Sequence, residues 1–246
     1  MNDPFYIGYL DKNPPTLARH TQGIVLLLAV IVIGLTALLA ARQTPVEPGD
    51  FEFGVRRTFT GVILESPLPL LRSVSTNGAV THYLLVGSGK YGLPAFARGN
   101  TGKLVRFDGS LIQKGGSVMV ELNAPESFKV LGPATEVELT QKQERITDVV
   151  LTGELVDTKC YFGVMRPATG KVHRACAVRC LSGGIPPGIL VRDHDGGAMA
   201  VPLTGSNNQP LKVDPEWAAR IVTAKGHLIL SGGLLRLEVL ELSLDR

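Results

Sequence analysis

The hydrophobic positions change character along the chain. Thr21–Ala41 contains no charged residue, and a helix of these 21 residues, at about 1.5 Å per residue, spans the roughly 30 Å hydrocarbon core of a bilayer. After residue 50, short runs rich in Val, Leu and Ile alternate with glycine, proline and polar residues, which is typical of short β-strands joined by tight turns. The pattern predicts an N-terminal tail over residues 1–20, a transmembrane helix over residues 21–41 and a mainly β region behind it.

A cleaved signal peptide is the alternative interpretation of the apolar segment. A signal peptide has a shorter leader and a shorter apolar region, followed by an A-x-A-like cleavage site. Here the leader has 20 residues and the segment ends in ALLAARQ, so an uncleaved anchor is favoured. Lys12 and Arg19 precede the segment, and Arg42, Arg56 and Arg57 follow it, so the positive-inside rule does not choose an orientation. A single N-terminal span most often exports a large region that follows it, and we expect the β region on the periplasmic side of the cytoplasmic membrane.

The β region contains an internal duplication. Val105–Glu121 and Val222–Glu238 align without a gap, with seven of 17 positions identical, and each copy has the pattern of a strand, a Gly-Gly turn and a second strand. Upstream, Arg57–Leu64 resembles Val149–Val156, with the Thr-Gly pairs 92 residues apart where the hairpins are 117 apart. The second copy therefore carries 117 − 92 = 25 additional residues between its first strand and its last hairpin.

The second copy predicts the order strand, strand, strand, helix, strand, strand. The helix is expected from Asp214-Pro215-Glu216, with Asp214 as N-cap and Pro215 in the first turn. This order resembles the OB-fold, a small five-stranded barrel. We expect two tandem OB-like domains over residues 51–139 and 146–246, the second with a helical Cys/His insertion over residues 158–187.

Tandem OB-like barrels behind a membrane anchor resemble periplasmic OB-fold proteins, such as the heme chaperone of cytochrome c maturation. That family attaches heme through the histidine of an H-x-x-x-Y motif. None of the five histidines of this chain has tyrosine four positions later, so the resemblance does not imply heme binding. The tract C-Y-F-G-V-M…H-x-x-C-A-x-x-C is similar to one in uncharacterised bacterial membrane-anchored proteins, and this resemblance implies no particular activity.

Composition and a glycine pattern exclude two further classes of function. A net charge of +3 is too small to indicate nucleic acid as a partner. The lipid bilayer and a membrane or periplasmic protein are the partners we expect. Gly87–Gly92 matches G-x-G-x-x-G, but Leu93-Pro94 follows it where a dinucleotide-binding motif needs the start of a helix. We therefore interpret this segment as a glycine-rich turn.

The candidate chemistry lies in the insertion, which contains all three cysteines of the chain. Lys171–Leu181 has the composition of a helix, and His173, Cys176 and Cys180 have the i, i+3, i+7 spacing that places them on one face. Cys160 would fold over this face as a fourth ligand. Cys3His is a normal set for zinc, and three thiolates could also hold copper or an iron–sulfur cluster. Met165 is a candidate weak ligand in the copper case.

A disulfide is the main alternative to a metal site. In an oxidising compartment Cys160 could pair with Cys176 or Cys180 and leave one thiol free, or all three cysteines could simply pack in the interior. Five basic residues surround the thiols without an acidic residue between Thr158 and Val191, which favours thiolate and could serve to dock a partner or an anion. They are Lys159, Arg166, Lys171, Arg174 and Arg179.

These patterns predict two functions. The first is a membrane-anchored exported protein with a Cys3His metal or redox site, acting as an accessory or electron-transfer subunit of a membrane redox system. The second is an assembly module without catalytic activity, in which the barrels bind a partner and the cysteines form a structural disulfide. The sequence assigns no catalytic residue and leaves open whether the protein is an enzyme.

Overall fold

The computed structural model describes residues 14–42, 48–139 and 142–245. Residues 1–13 of the expected tail lie outside this description. The chain divides into two compact units, residues 1–45 and residues 46–246. The first contains a single described helix, and the second contains all the strands.

The apolar segment forms the helix α1, Pro15–Arg42. Its 28 residues correspond to a length of about 42 Å, and none of them is buried. Among the described residues it is the one helix long and apolar enough to cross a membrane. The predicted span is therefore helical and continues into the last residues of the expected tail, while the type of membrane and the side of the β region stay predictions.

The first copy of the duplication forms a closed barrel. Strands β2 to β6 pair in the order β2-β3-β4-β6-β5 and back to β2, with a parallel pair between β4 and β6 and antiparallel pairs elsewhere. The edge strands β1 and β7 add to β5, and a single helical turn α2, Glu136–Leu139, follows. The strands are β1 Asp50–Phe51, β2 Arg57–Leu64, β3 Leu70–Val74, β4 Val80–Gly87, β5 Lys103–Lys114, β6 Ser117–Leu122 and β7 Lys129–Pro133.

The second copy closes in the same way. Its pairing order is β8-β9-β10-β12-β11 and back to β8, again with one parallel pair, between β10 and β12. Both copies thus have the strand order of the OB-fold, which confirms the predicted fold class. The strands are β8 Gln143–Asp157, β9 Pro187–Arg192, β10 Ala198–Gly205, β11 Ile221–Ser231 and β12 Leu234–Leu244.

The repeated glycines have the same structural role in both barrels. The turns Gly115-Gly116 and Gly232-Gly233 join the last two strands of each barrel, and all four glycines have positive φ, between +53° and +81°. L-residues with a side chain rarely adopt this conformation, so the Gly-Gly pair is needed for the tight hairpin. The sequence identity between the copies therefore includes positions at which only glycine fits without strain.

The helix predicted from Asp214 is wrong. Asp214 does cap, because its carboxylate accepts a hydrogen bond from Glu216 N at 2.9 Å, but only the single 3-10 turn Pro215–Trp217 follows. Ala219 then adopts φ +59°, and its N–H donates to Leu155 O at 2.9 Å. The chain is thereby drawn into pairing with β8, and strand geometry begins where helix was expected. The first barrel has a similar 3-10 turn at Ala95–Ala97.

Three apolar cores organise the β unit. Each barrel has its own interior, and a third core lies between the barrels, where outward-facing residues of the first barrel pack on the insertion. The side chains of this third core include Val62, Leu70, Leu84, Val86 and Met119 from the first barrel and Cys160, Tyr161, Phe162, Cys180 and Ile185 from the insertion. The cysteines thus lie at the junction of the two barrels.

Candidate metal centre

Two short helical elements position the cysteines. Asp157, the last residue of β8, accepts a hydrogen bond from Cys160 N through its carboxylate Oδ1 at 2.8 Å, and this contact holds the start of a wide helical turn, Cys160–Val164. The predicted second helix is confirmed as α3, Arg174–Ser182. Gly184 ends it with φ +88°, while Ile185 N donates to Cys180 O at 3.0 Å. The first contact ties the turn to the end of β8, and the second closes the C-terminal end of α3.

The three sulfurs form a compact triangle. Cys160 Sγ lies 3.9 Å from Cys176 Sγ and 3.8 Å from Cys180 Sγ, and all three atoms lie within 4.8 Å of one another. Zinc–sulfur bonds of about 2.3 Å give a tetrahedral edge of about 3.8 Å, so the two measured edges match the spacing of thiolates around one ion. The cysteines are free thiols, and a disulfide would need two sulfurs to approach to about 2.05 Å.

His173 lies beside this triangle and is paired with Asp157, a residue that the sequence analysis did not identify as part of the site. Its Nε2 is 3.1 Å from Asp157 Oδ2, and both side chains are buried. Asp157, Cys160 and His173 form a second group whose ligand atoms all lie within 4.8 Å, so Cys160 belongs to both groups. A histidine bonded to a carboxylate is a common arrangement at metal sites, where the carboxylate fixes the orientation of the ring.

A lysine of the first barrel reaches the sulfurs. Lys90 Nζ lies 2.6 Å from Cys176 Sγ, and this contact raises the pKa of Lys90. The pKa of Cys180 is lowered, first by a hydrogen bond with Cys160 and also by the charge of Lys90. The pKa of Cys160 is raised, because its thiol donates to Cys180 and because it is buried near Asp157. The cluster therefore loses its first proton more readily at Cys180 than at Cys160.

Lys90 belongs to the glycine-rich segment Gly87–Gly92, which follows β4. The backbone of this segment lies directly on the end of α3, where Gly92 N donates to Gly183 O at 2.9 Å. A Cβ atom at Gly92 would collide with Gly184 O, and one at Gly183 would collide with Lys90 O. The glycines permit a backbone approach that brings Lys90 to the thiols, a role that sequence reasoning missed. The signal that could have indicated it was the presence of two glycine-rich segments, Gly87–Gly92 and Gly183-Gly184, more glycine than a single turn requires.

Lys159 joins the insertion to the first barrel from the inside. Its side chain is only 1% exposed, and its ammonium lies 2.5 Å from Glu121 Oε2. It also donates to Gly87 O and Gly89 O, each at 2.7 Å, and so helps to hold the segment that carries Lys90. The sequence suggested a docking role for Lys159, whereas the structure places it in the interior.

The other predicted residues surround the triangle at greater exposure. Arg174 pairs with Glu216 at 3.0 Å, Lys171 and Arg179 are exposed, and Arg166 donates to Gly49 O at 2.7 Å. Met165, the candidate weak ligand, is 43% exposed and lines a separate cavity. The structure thus brings the three cysteines together, places His173 beside Cys160, and directs Met165 and Arg166 to that cavity.

Comparison with known proteins adds little to this picture. No protein-family model and no curated protein matches the chain. Among solved structures, a deletion mutant of the single-stranded DNA binding protein from Thermus aquaticus matches 82% of this chain and 91% of its own, with 13% identity and a TM-score of 0.23. That similarity is too weak to support an inference about function.

Proposed function

We propose that this chain is a membrane-anchored, exported protein that binds one thiophilic metal ion through Cys160, Cys176 and Cys180. In this proposal it serves as an accessory subunit of a membrane redox system. The observation that carries the proposal is the sulfur triangle, whose measured edges of 3.8 and 3.9 Å suit a single ion with about 2.3 Å bonds. Thiols in van der Waals contact lie a similar distance apart, so the weight of the observation rests on all three cysteines of the chain meeting at one point with Lys90 beside them.

The geometry favours a single ion over a cluster. In [2Fe–2S] and [4Fe–4S] clusters at most two cysteines bind the same iron, so three cluster ligands do not all have the spacing of vertices around one ion. His173 is the proposed fourth ligand: a ring nitrogen lies within 4.8 Å of Cys160 Sγ, and turning the ring from Asp157 towards the sulfurs would complete a Cys3His set, which is a normal zinc site. If His173 does not bind the ion, the Asp157–His173 pair lies outside the set of ligands and orients Cys160.

Charge favours a divalent ion. Three thiolates carry three negative charges, and a divalent ion together with the Lys90 ammonium neutralises them. A zinc ion would make the site a structural link between the barrels, since zinc has no redox chemistry. A copper ion would instead support electron transfer.

A disulfide-linked assembly module is the second candidate function. Cys160 and Cys180 are both buried with their sulfurs 3.8 Å apart, whereas Cys176 is only partly buried. Cys176 Sγ is nearly as close to Cys160 Sγ, at 3.9 Å, so an oxidant that takes two electrons and two protons from the thiols would link Cys160 to either cysteine and leave the third thiol free. In that case the barrels would bind a partner, and the disulfide would only hold the insertion in place.

Elemental analysis and thiol counting distinguish the two candidates. The full-length protein is purified in detergent, without chelator and under anaerobic conditions, and its metal content is measured per chain. We expect one equivalent of metal that is lost in Cys160→Ser, Cys176→Ser and Cys180→Ser. Met165→Leu is the matched control and should keep the metal, because Met165 lies on a separate cavity. A metal-free protein with a disulfide from Cys160 to Cys180 or Cys176, mapped by mass spectrometry, would support the assembly module instead.

A further inference from the structure

The cavity that Met165 lines has a volume of about 410 Å³ and lies on the insertion. None of the three cysteines lines it. Its wall combines the chain before β1 at Pro48 and Gly49, the end of β5 at Lys114, and the β9–β10 hairpin at Arg192 and Ala198. The insertion supplies the rest, namely Tyr161, Gly163, Met165, Arg166, Pro167, Ala168 and Thr169. A volume of this size is in the range of small-molecule sites.

The charge of the cavity wall has one sign. Lys114, Arg166 and Arg192 line it, and no acidic residue does so among the described residues. The three cations come from β5, the insertion and β9, so the fold has brought them together from distant parts of the sequence. Three cations on the wall of one cavity give it a positive potential, which attracts an anion.

The remaining wall is apolar and held in place. Tyr161 donates to Ala198 O at 3.2 Å, and Lys114 Nζ lies 4.0 Å from the centre of its ring. Arg166 is held by its hydrogen bond to Gly49 O. Beside these groups Met165 exposes 43% of its surface and so presents its thioether to the cavity. An apolar wall with a few fixed polar groups is the usual composition of a ligand site.

We propose that this cavity binds a small organic anion, with a carboxylate or phosphate group on a flat apolar body. The anionic group would lie among Arg166, Arg192 and Lys114, and the body would pack on Tyr161 and Met165. Guanidinium groups bind carboxylates and phosphates through paired hydrogen bonds, and the exposed thioether supplies an adaptable apolar surface. This site is separate from the metal site, and its occupancy does not depend on a bound metal.

Calorimetric titration of the full-length protein in phosphatidylcholine nanodiscs tests the proposal. Phenyl phosphate is the probe, with inorganic phosphate and phenol as its two halves. We expect phenyl phosphate to bind with a Kd below about 1 mM, and each half to bind at least about tenfold more weakly because it engages only the cations or only the apolar wall. Phosphatidylglycerol added to the nanodiscs distinguishes the source of the natural ligand: competition indicates a lipid headgroup, and unchanged binding indicates a soluble anion.

Arg192→Met and Lys114→Met should each weaken phenyl phosphate binding about tenfold. Arg166 is left intact because it also holds the wall through Gly49. Arg220→Met, which removes an exposed arginine of the second barrel, is the matched control and should bind as the wild type does. Metal content is measured in every variant and should not change, which separates this proposal from that of the metal site. The proposal is overturned if the wild type shows no saturable binding, or if a variant that combines Arg192→Met with Lys114→Met binds phenyl phosphate unchanged.

Discussion

Replacing Lys90 tests whether the first barrel contributes to the thiol site of the second. Lys90→Met keeps the length of the side chain and removes the ammonium that lies 2.6 Å from Cys176 Sγ. Because three thiolates must lie close together to bind one ion, their mutual repulsion opposes metal binding. The ammonium offsets part of that repulsion, and we expect its loss to weaken binding without unfolding the protein.

The magnitude follows from the distance and from the exposure of Lys90. The amine is exposed to solvent, so the dielectric constant of water is the appropriate limit. Two unit charges 2.6 Å apart then interact with about 1.6 kcal/mol, which corresponds to roughly fifteenfold in an equilibrium constant. We therefore expect the metal dissociation constant of Lys90→Met to rise ten- to twentyfold.

The assay is a competition between the full-length protein in detergent and a chromophoric zinc chelator at pH 7. Lys90→Arg keeps the charge and should bind within about twofold of the wild type. Lys129→Met removes an exposed lysine of β7 and should have no effect. High salt should reduce the difference between Lys90→Met and the wild type, because it screens the exposed ammonium. Equal affinities for Lys90→Met and the wild type, with binding abolished in Cys176→Ser, would refute the reasoning.

Three further predictions concern stability, measured by denaturant unfolding of the full-length protein. Gly92→Ala should lower the free energy of unfolding by about 2 kcal/mol, because the new Cβ collides with Gly184 O. Gly34→Ala is its control, since a Cβ there meets nothing within 4 Å. Equal denaturation midpoints for the two variants would contradict the proposed backbone contact. Lys159→Met should lower the free energy of unfolding by about 3–5 kcal/mol, because it leaves the buried Glu121 without its partner. Adding Glu121→Gln should restore part of this loss. Unchanged stability of Lys159→Met alone would show that the pair is not buried. Burial, together with the charge of Arg72, lowers the pKa of His82 from 6.5 to about 4. As the pH falls, the unfolded chain therefore protonates His82 before the folded chain does. The contribution of His82 to the free energy of unfolding is greatest above pH 6.5, decreases by roughly 3 kcal/mol towards pH 4 and is constant below that. His82→Phe should flatten this dependence, and an unchanged slope would place its cause elsewhere.

Much of the fold was predictable because it follows from local patterns. The gapless match between the two hairpins reflects two Gly-Gly turns with the same positive φ angles, and the apolar run of α1 has no other stable conformation in a membrane. The clustering of the cysteines followed from their spacing, since α3 places Cys176 and Cys180 on the side that faces Cys160. In each of these cases neighbouring residues along the chain determine the result.

The parts that could not be predicted depend on contacts between distant segments. Lys90 reaches Cys176 across 86 positions of the chain, and Lys159 reaches Gly87 across 72. Neither residue differs in type or local pattern from a lysine that contacts only solvent. The helix expected at Asp214 failed for the same reason: its capping residues were correctly identified, but pairing of Ala219 with Leu155 of β8 determined the conformation that follows.

The third core has an evolutionary consequence. OB barrels bind oligonucleotides and oligosaccharides on the face of their second and third strands, and in the first barrel the corresponding strands, β3 and β4, contribute Leu70, Leu84 and Val86 to the core shared with the insertion. Part of a face that such barrels commonly offer to a ligand is thus covered by the chain's own second copy. A descendant that lost the insertion would expose this apolar face, and one that made the face polar would release the insertion. The two copies can therefore diverge in sequence but are constrained to change together along this surface.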